Sequence, residues 1–333
     1  MGPTIHDVAK LANTSKSTVS RYLNGQQVKK ATQEALERAI KELNFHRNAN
    51  ARRLVMDKTY TIGIVIDDIS NIFYSGIIKG IEEVAGNNGY NCIFLSWTSN
   101  YDNEISFMNL LYEGQVDGII MVSFRKRSVE DLLLIREAGY PIALIGDHGE
   151  LEGIFSVDVD NAAGIADVVH YLHDIGHRKI AYISGPETVS ASKYRFKGYK
   201  QTLEELGLEY NPEWVVESDW TNQGGYAAIK AILEKPEVTA VVASSDETAI
   251  GALRRIQESG RNVPKDMSIV GFDDVTVSSW VYPSLTTVRQ PFRDIGRMAA
   301  EGLFLKIAGE EEEAKSHLLK PQLIIRDSCG KLL

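Results

Sequence analysis

Between residues 5 and 43 apolar side chains recur at helical spacing in three short runs. Ile5, Val8, Ala9 and Ala12 fall at i, i+3, i+4 and i+7, which makes one apolar stripe. Asn13-Thr14-Ser15 interrupts the stripe, and Ser15 is a good N-cap for a second helix. In that helix Val19, Tyr22 and Leu23 form the inward face, leaving Lys16, Ser17, Thr18, Ser20 and Arg21 outward. After a polar loop, Ala35, Leu36, Ala39, Ile40 and Leu43 predict a third helix over about 32–43. Its start near Lys29-Lys30 is weakly capped unless Thr32 serves. The three helices would share a core of roughly 45 residues, which is marginal by itself. Residues 44–56 are helix-compatible but short and polar, so they read as a linker that becomes helical only when something holds it.

From Tyr60 the pattern changes to apolar strands alternating with amphipathic helices. One series predicts strands at 61–66, 91–95, 118–122 and 142–145, with helices near 74–87, 102–111 and 128–138. A second predicts strands at 179–184, 215–217, 240–243 and 268–272, with helices near 162–174, 195–206, 226–233 and 248–259. Such series imply parallel sheets covered on both faces, here two doubly wound α/β lobes behind a small all-α head. A last helix at 294–308, an acidic loop at 310–313 and a final strand at 318–325 fit a chain that crosses between lobes three times, near 160, 290 and 320. Ligands in such folds bind at the carboxyl ends of strands, here in the cleft between lobes.

Charge changes the picture. The chain of 333 residues carries a net charge of −9, but residues 1–58 hold 11 Lys/Arg against 5 Asp/Glu, a net +6. The remainder holds 25 against 40, a net −15. A basic head on an acidic body predicts a polyanion partner at one end only. Short hydroxyl side chains with a Lys and an Arg, in a row on one helix, can hydrogen-bond base edges and phosphates in a major groove. A solvated helical hairpin gives the same local pattern, and the coincidence with the charge asymmetry favours the duplex reading. No apolar run reaches about 18 residues and the N-terminus has no signal-peptide core, so a cytoplasmic protein without membrane contact is expected. Cys92 and Cys329 lack metal-type spacing and read as buried or free thiols. The seven His residues are scattered; His170 and His173 could share a helix face, without a third ligand nearby. No metal and no cofactor is implied.

The whole chain resembles the lactose-repressor/galactose-repressor family of bacterial transcription regulators. The resemblance rests most on Thr4-Ile5-x-Asp7-Val8-Ala9 with Ser15-x-x-Thr18-Val19-Ser20-Arg21-x-Leu23-Asn24. Further matches are Asp68-Ile69-Ser70-Asn71-Ile72-Phe73-Tyr74, Gln115-Val116-Asp117-Gly118-Ile119-Ile120, Gly176-His177, Ser245-Asp246-Glu247, Gly271-Phe272-Asp273-Asp274 and Pro283-x-Leu285-Thr286-Thr287-Val288-x-Gln290. It implies a helix-turn-helix headpiece at 1–46, a hinge helix at 47–59 and an effector-binding and dimerisation body at 60–333 resembling periplasmic sugar-binding proteins. The N-lobe would take about 60–160 and 291–318, the C-lobe about 161–289 and 319–330.

Carried across residue by residue, Lys16 and Ser17 occupy the family's main base-reading positions. Ser15, Thr18, Ser20, Arg21 and Asn24 match positions around them that contact bases or phosphates, and Thr4 and His6 match phosphate-contacting ones. Lys16-Ser17 departs from the pair of the best-known members, so the operator's variable bases do not transfer. In the hinge, Leu54 matches the leucine that wedges into a central minor-groove step, with Asn48, Ala51 and Arg52 along the groove floor or phosphates. Packing of Leu54 on the body is the plain alternative. In the cleft, Arg195, Trp220, Ser245 and Asp273 match positions that hold effector hydroxyls or ring faces, with Arg195 and Asp273 expected to grip from either side. Phe73 and Tyr74 match an N-lobe wall, with ordinary core residues as the alternative. Gln290 and Phe292 sit at a crossover near the cleft, and Asp147 stands at a position that varies widely in the family. Trp97 and Trp280 read as structural.

Three function classes compete. A solute receptor for transport, without DNA function, predicts a signal peptide and no basic head, and the sequence has the opposite features. An enzyme predicts a nucleophile elbow, a phosphate loop or a metal-spaced cluster, and the sequence has none. A repressor controlled allosterically by a small molecule fits, with a sugar as the leading expectation for the effector. So small a headpiece requires two copies on a pseudo-palindromic operator, hence a homodimer on double-stranded DNA. The runner-up is a carbon-catabolite-type global regulator that uses a phosphoprotein corepressor.

Overall fold

The computed structural model describes residues 3–23, 25–45, 58–96, 105–124, 127–146, 154–310 and 316–332. The chain falls into two compact units, Met1–Thr59 and Tyr60–Leu333. The hinge expected at 47–59 lies almost wholly outside the described residues.

In the first unit α1 (Ile5–Leu11), α2 (Lys16–Leu23) and α3 (Lys30–Glu42) pack around Val8, Ala9, Val19, Leu36 and Ala39. Helix α1 opens with Thr4, whose backbone N–H and hydroxyl both donate to the Asp7 carboxylate at 2.8 and 2.7 Å. Asn13 turns the chain with φ of 48°, a left-handed conformation that Asn tolerates. Ser15 then caps α2, accepting from the Thr18 backbone N–H at 3.2 Å. Helix α3 starts two residues earlier than its apolar stripe predicts. Lys29 stands at its N-cap without a side-chain bond, and Thr32 spends its N–H on the Lys29 carbonyl. Tyr22 of α2 donates across the bundle to Glu37 of α3 at 3.1 Å, and Gln33, one turn earlier on α3, donates to the same carboxylate at 2.9 Å.

The second unit holds two parallel sheets. The N-lobe sheet has the order β11-β5-β4-β3-β1-β2, from β1 (Thr61–Ile66), β2 (Asn91–Ser96), β3 (Gly118–Val122), β4 (Ile142–Ile145), β5 (Ser156–Val159) and β11 (Ser316–Leu319). Helix α4 (Ser75–Asn87) covers one face; α5 (Asn109–Tyr112) and α6 (Val129–Glu137) cover the other. The C-lobe sheet has the order β7-β6-β8-β9, from β6 (Ile180–Ser184), β7 (Val215–Glu217), β8 (Ala240–Ala243) and β9 (Ser268–Val270). Its helices are α7 (Asn161–Asp174), α8 (Ser190–Glu205), α9 (Asn222–Leu233) and α10 (Asp246–Glu258). Both faces of each sheet carry a buried apolar cluster, which is why the strands read as continuous apolar runs.

Each lobe brings two helices together through facing glycines. A Cβ on Gly80 would lie 2.1 Å from the Arg293 carbonyl oxygen, and one on Gly296 would lie 2.0 Å from that of Ile77. These residues join α4 to α11 (Phe292–Ala308). In the C-lobe, Gly225 and Gly251 would meet the carbonyls of Thr248 and Asn222 at 2.1 and 1.8 Å. Helix α9 starts at Asn222, four residues before the expected 226, and runs through Gly224-Gly225, where Gly225 lets α10 approach. Helix α8 likewise begins five residues before the expected start, which puts Arg195 inside a helix instead of at its first turn.

The chain end departs from expectation most. The single strand predicted at 318–325 is two strands in different lobes, β11 parallel to β5 and β12 (Gln322–Ile324) antiparallel to β10 (Thr287–Arg289). Lys320-Pro321 carries the crossing between them; proline has no N–H to give a ladder. The strands β5 and β10, four and three residues long, are too short to stand out as periodic runs. The helix expected from 102 is, within the described residues, a 3₁₀ turn at Ile105–Met108 followed by α5.

Candidate functional site: an exposed helix face and an interlobe cleft

Helix α2 buries Val19 completely and presents Ser15, Lys16, Ser17 and Arg21 to solvent, with Thr18 and Ser20 half-exposed. Thr4 and His6 of α1 are also exposed. The Ser15 hydroxyl lies 2.8 Å from those of both Ser17 and Thr18, so the start of the row is tied into the cap. Lys16 and Arg21 carry its positive charge. Asn24, Asn48, Ala51, Arg52 and Leu54 lie outside the described residues.

In the body, a cavity of about 210 Å³ opens between the carboxyl ends of the two sheets. The N-lobe contributes Asp67, directly after β1, with Asn71, Phe73, Tyr74 and Phe124. The C-lobe contributes residues that follow its strands: Pro186 after β6, Asp219 and Trp220 after β7, Ser245 and Glu247 after β8, Asp273 and Val275 after β9. Val189, Ala191 and Arg195 of the α8 region complete that wall. This is where parallel α/β sheets place ligands, since strand ends and helix starts leave backbone and loop groups free there.

The N-lobe wall is built from rings. Phe73 meets Tyr74, Phe124 and Phe292 edge-on at centroid distances of 5.4, 5.3 and 4.6 Å. Tyr74 is buried, and its hydroxyl donates to the Asp67 carboxylate. Phe73 and Tyr74 therefore belong to both the core and the cavity.

The C-lobe wall is built from buried polar groups. Arg195, 4 % exposed, donates to Asn161 Oδ1 at 2.8 Å and to the Ser244 carbonyl. It also lies 3.5 Å from Asp273 Oδ1 and stacks 3.7 Å over the Phe272 ring. Arg195 and Asp273 are thus partners on one wall and do not oppose each other across the ligand space. Burial pushes the Asp273 carboxyl up to about 7, against the opposing pull of Arg195. Gln290 donates to Asp273 Oδ1 at 2.6 Å from the crossing segment, without lining the cavity. The next residue, Asp274, joins Arg289 of β10 to Arg326 beyond β12. Asp273 and Asp274 both have positive φ, 126° and 57°, a conformation held here by these bonds. Nearby, Asp246 accepts from Ser278 Oγ at 2.6 Å, the Val275 N–H at 2.9 Å and the Thr287 hydroxyl, and burial raises its carboxyl to about 6.

Trp220 has φ of 65°, rests its indole against Gly185 and donates to Ser244 Oγ at 2.8 Å. Any side chain at Gly185 would collide with it, at 1.9 Å from the indole nitrogen. Ser245 lines the cavity but uses its hydroxyl as the N-cap of α10, accepting from the Thr248 N–H at 3.2 Å.

The cavity thus gathers Phe73, Tyr74, Arg195, Trp220, Ser245 and Asp273. Gln290 and Phe292 stand one layer behind it, and Asp147 lies outside the described residues. Trp97 is also outside them; Trp280, read as structural, is 82 % exposed and so supports no core. Sequence reasoning missed Asp67, Phe124, Asp219 and Glu247 as cavity residues. The rule that ligand groups follow parallel strands by one to four positions picks them out. Among the described residues no three His, Cys, Asp or Glu side chains could share a metal ion, and no helix is long and apolar enough to cross a membrane.

Residues 4–48 match the model of the lacI family of bacterial regulatory proteins, and residues 169–329 match a periplasmic binding protein-like domain. Catabolite control protein A of Priestia megaterium is 38% identical over 330 residues, 97% of this chain and 98% of that protein. The structure of a transcriptional regulator CelR–cellobiose complex is 34% identical, with a TM-score of 0.75 over 98% of this chain and 99% of that one. A lac repressor dimer bound to operator and the anti-inducer ONPF is 27% identical, with a TM-score of 0.89 over 98% of this chain and 99% of that one. With an exposed polar helix row, a cleft between two parallel-sheet lobes and relatives matched end to end, the chain belongs to the lacI family of bacterial regulatory proteins, which are DNA-binding transcription regulators and not enzymes.

Proposed function

We propose that this chain is a cytoplasmic repressor that binds a pseudo-palindromic operator as a homodimer and responds to a small molecule, a sugar or sugar derivative, in the interlobe cleft. The observation that carries the reading is the exposed row Lys16, Ser17 and Arg21 on a helix whose opposite face is locked by fully buried Val19. Arg21 suits a bidentate guanine contact and Lys16 a point-charge one, while Ser17, Thr18 and Ser20 are short enough for the groove floor. One such helix reads only a few base pairs, so specificity needs two. Thr4, His6, Ser15 and Asn24 would hold phosphates or neighbouring bases, and in the hinge Leu54 would wedge a central step flanked by Asn48, Ala51 and Arg52.

Control follows from the wiring behind the cavity. An effector touching Asp273 meets a carboxylate held by Gln290 on one crossing segment, beside an Asp274 that clamps Arg289 and Arg326 on two of them. Occupancy can then bias how the two lobes stand, and through them the spacing of two hinges, provided the effector binds one arrangement more tightly. The cellobiose complex of CelR supports a sugar; the similarity to catabolite control protein A supports a second reading, a global regulator with a phosphoprotein corepressor.

The test is selection of duplexes from a random library by the purified chain, with and without sugars. The expected result is enrichment of a pseudo-palindrome, with Leu54→Ala losing specific affinity far more than nonspecific affinity. A chain that never prefers a palindrome to random duplex would overturn the proposal, and equal losses in Leu54→Ala would remove the wedge from it.

A further inference from the structure

The charges of the cleft narrow the class of effector. Four carboxyl groups line it, those of Asp67, Asp219, Glu247 and Asp273, the last pushed up to about 7 by burial, against the single guanidinium of Arg195 among the described residues. That guanidinium is already committed to Asp273, Asn161 and the Ser244 carbonyl. Among the described residues Asp67 accepts from neutral donors, the Tyr74 hydroxyl and the Asp68 N–H. Asp219 likewise accepts from the Thr221 hydroxyl and N–H at 2.7 and 3.0 Å, which hold its carboxyl below the usual range. Glu247, half-buried on the first turn of α10, has no hydrogen-bond or ion-pair partner among the described residues.

Helices α9 and α10 both begin at the cavity, and a helix start ordinarily attracts anions. Here the chain supplies the anions itself, Asp219 ahead of α9 and Glu247 within α10. A phosphate entering the cleft would meet an acidic side chain at both helix starts, Asp219 held below the usual carboxylate range and Glu247 pushed above it by burial, and no uncommitted cation on the described wall. Hydroxyl groups would instead find carboxylate acceptors, and the faces of Trp220 and Phe124 would take the apolar side of a sugar ring.

We infer that the cleft selects an uncharged, hydroxyl-rich ligand, an unphosphorylated sugar or glycoside, and that Glu247 is the residue that sets this selection by accepting ligand hydroxyls and repelling anionic groups. The inference rests on the sugar-effector reading given above and sharpens it. It separates ligands of one shape by charge alone: a sugar from its own phosphate.

The experiment titrates the full chain with glucose, ribose and cellobiose and with the phosphate esters of the same sugars, followed by tryptophan fluorescence and by melting temperature. At least one neutral sugar should bind, with its phosphate weaker by about tenfold or more, the size of one unfavourable charge contact in a partly buried site. Glu247→Gln should weaken the neutral sugar and narrow that ratio, and Glu247→Lys should invert it. A phosphate binding as tightly as its parent sugar overturns the inference, as does a ratio unchanged in both folded variants. Failure of the underlying reading looks different: no sugar binds in either form, and both statements fall together.

Discussion

The two walls of the cleft are made by opposite means. On the N-lobe side, Phe73, Tyr74, Phe124 and Phe292 pack against one another, and the wall is an outcrop of the hydrophobic core. On the C-lobe side, Arg195, Asp273, Asn161 and Gln290 form a buried polar network whose members hold each other in place. Ring packing is non-directional and tolerates small shifts, so it suits a surface that must close over a ligand. A buried network has directional bonds and a high penalty for any unmatched member, so it suits a surface that must recognise one. The crossing segments attach to the second kind of wall through Gln290 and Asp274. In the proposed function, recognition and coupling therefore share one set of bonds.

Removing a network member should hurt most. Arg195→Ala leaves Asp273 buried without its counter-charge and should cost about 3–5 kcal/mol of stability. Denaturant unfolding checks it, and combining it with Asp273→Asn should recover part of the loss. A single variant as stable as the parent would mean that Asp273 is held neutral by its surroundings, not by Arg195.

Cutting the ring wall should cost less. Phe73→Ala opens a gap at a half-buried side chain and should lose about 2–3 kcal/mol, below the full range for a core phenylalanine. The same unfolding measurement decides it: a loss larger than that of Arg195→Ala would reverse the ranking of the two walls.

The pH dependence belongs to the polar wall alone. Burial raises Asp246 to about 6 and Asp273 to about 7, from an ordinary 3.8. Both groups hold a proton more tightly in the folded chain. Their contribution to stability is therefore fully present below about pH 4 and is lost as pH rises through the folded values, between about 4 and 7. Asp273→Asn should flatten the melting temperature across that window, whereas Phe73→Ala should leave its slope unchanged.

Much of the site could be read in the order of residues. The alternation of apolar strands with amphipathic helices located most of the sheet, and with it the strand ends where Trp220, Ser245 and Asp273 sit. The outward row of α2 followed from helical spacing around Val19, since a fully buried residue fixes the angle of its neighbours. Glu247 follows β8 by four positions, so its place near a strand end is legible, but at N2 of a helix spacing alone does not say whether a carboxyl faces solvent or cavity. Arg195 was placed at the cleft, but its partners come from residues 161, 244 and 273, and no local pattern records such distances.

The sequence by itself determined the periodicities, the charge difference between head and body and the motifs of the family, because each depends on neighbours within a few positions. Tertiary structure alone decided that 316–324 is divided between lobes, that Gly225 serves helix approach, and that Arg195 and Asp273 form one pair on one wall. Those outcomes depend on contacts between segments tens to hundreds of residues apart, whose strength is set by burial, and burial exists only once the chain has folded.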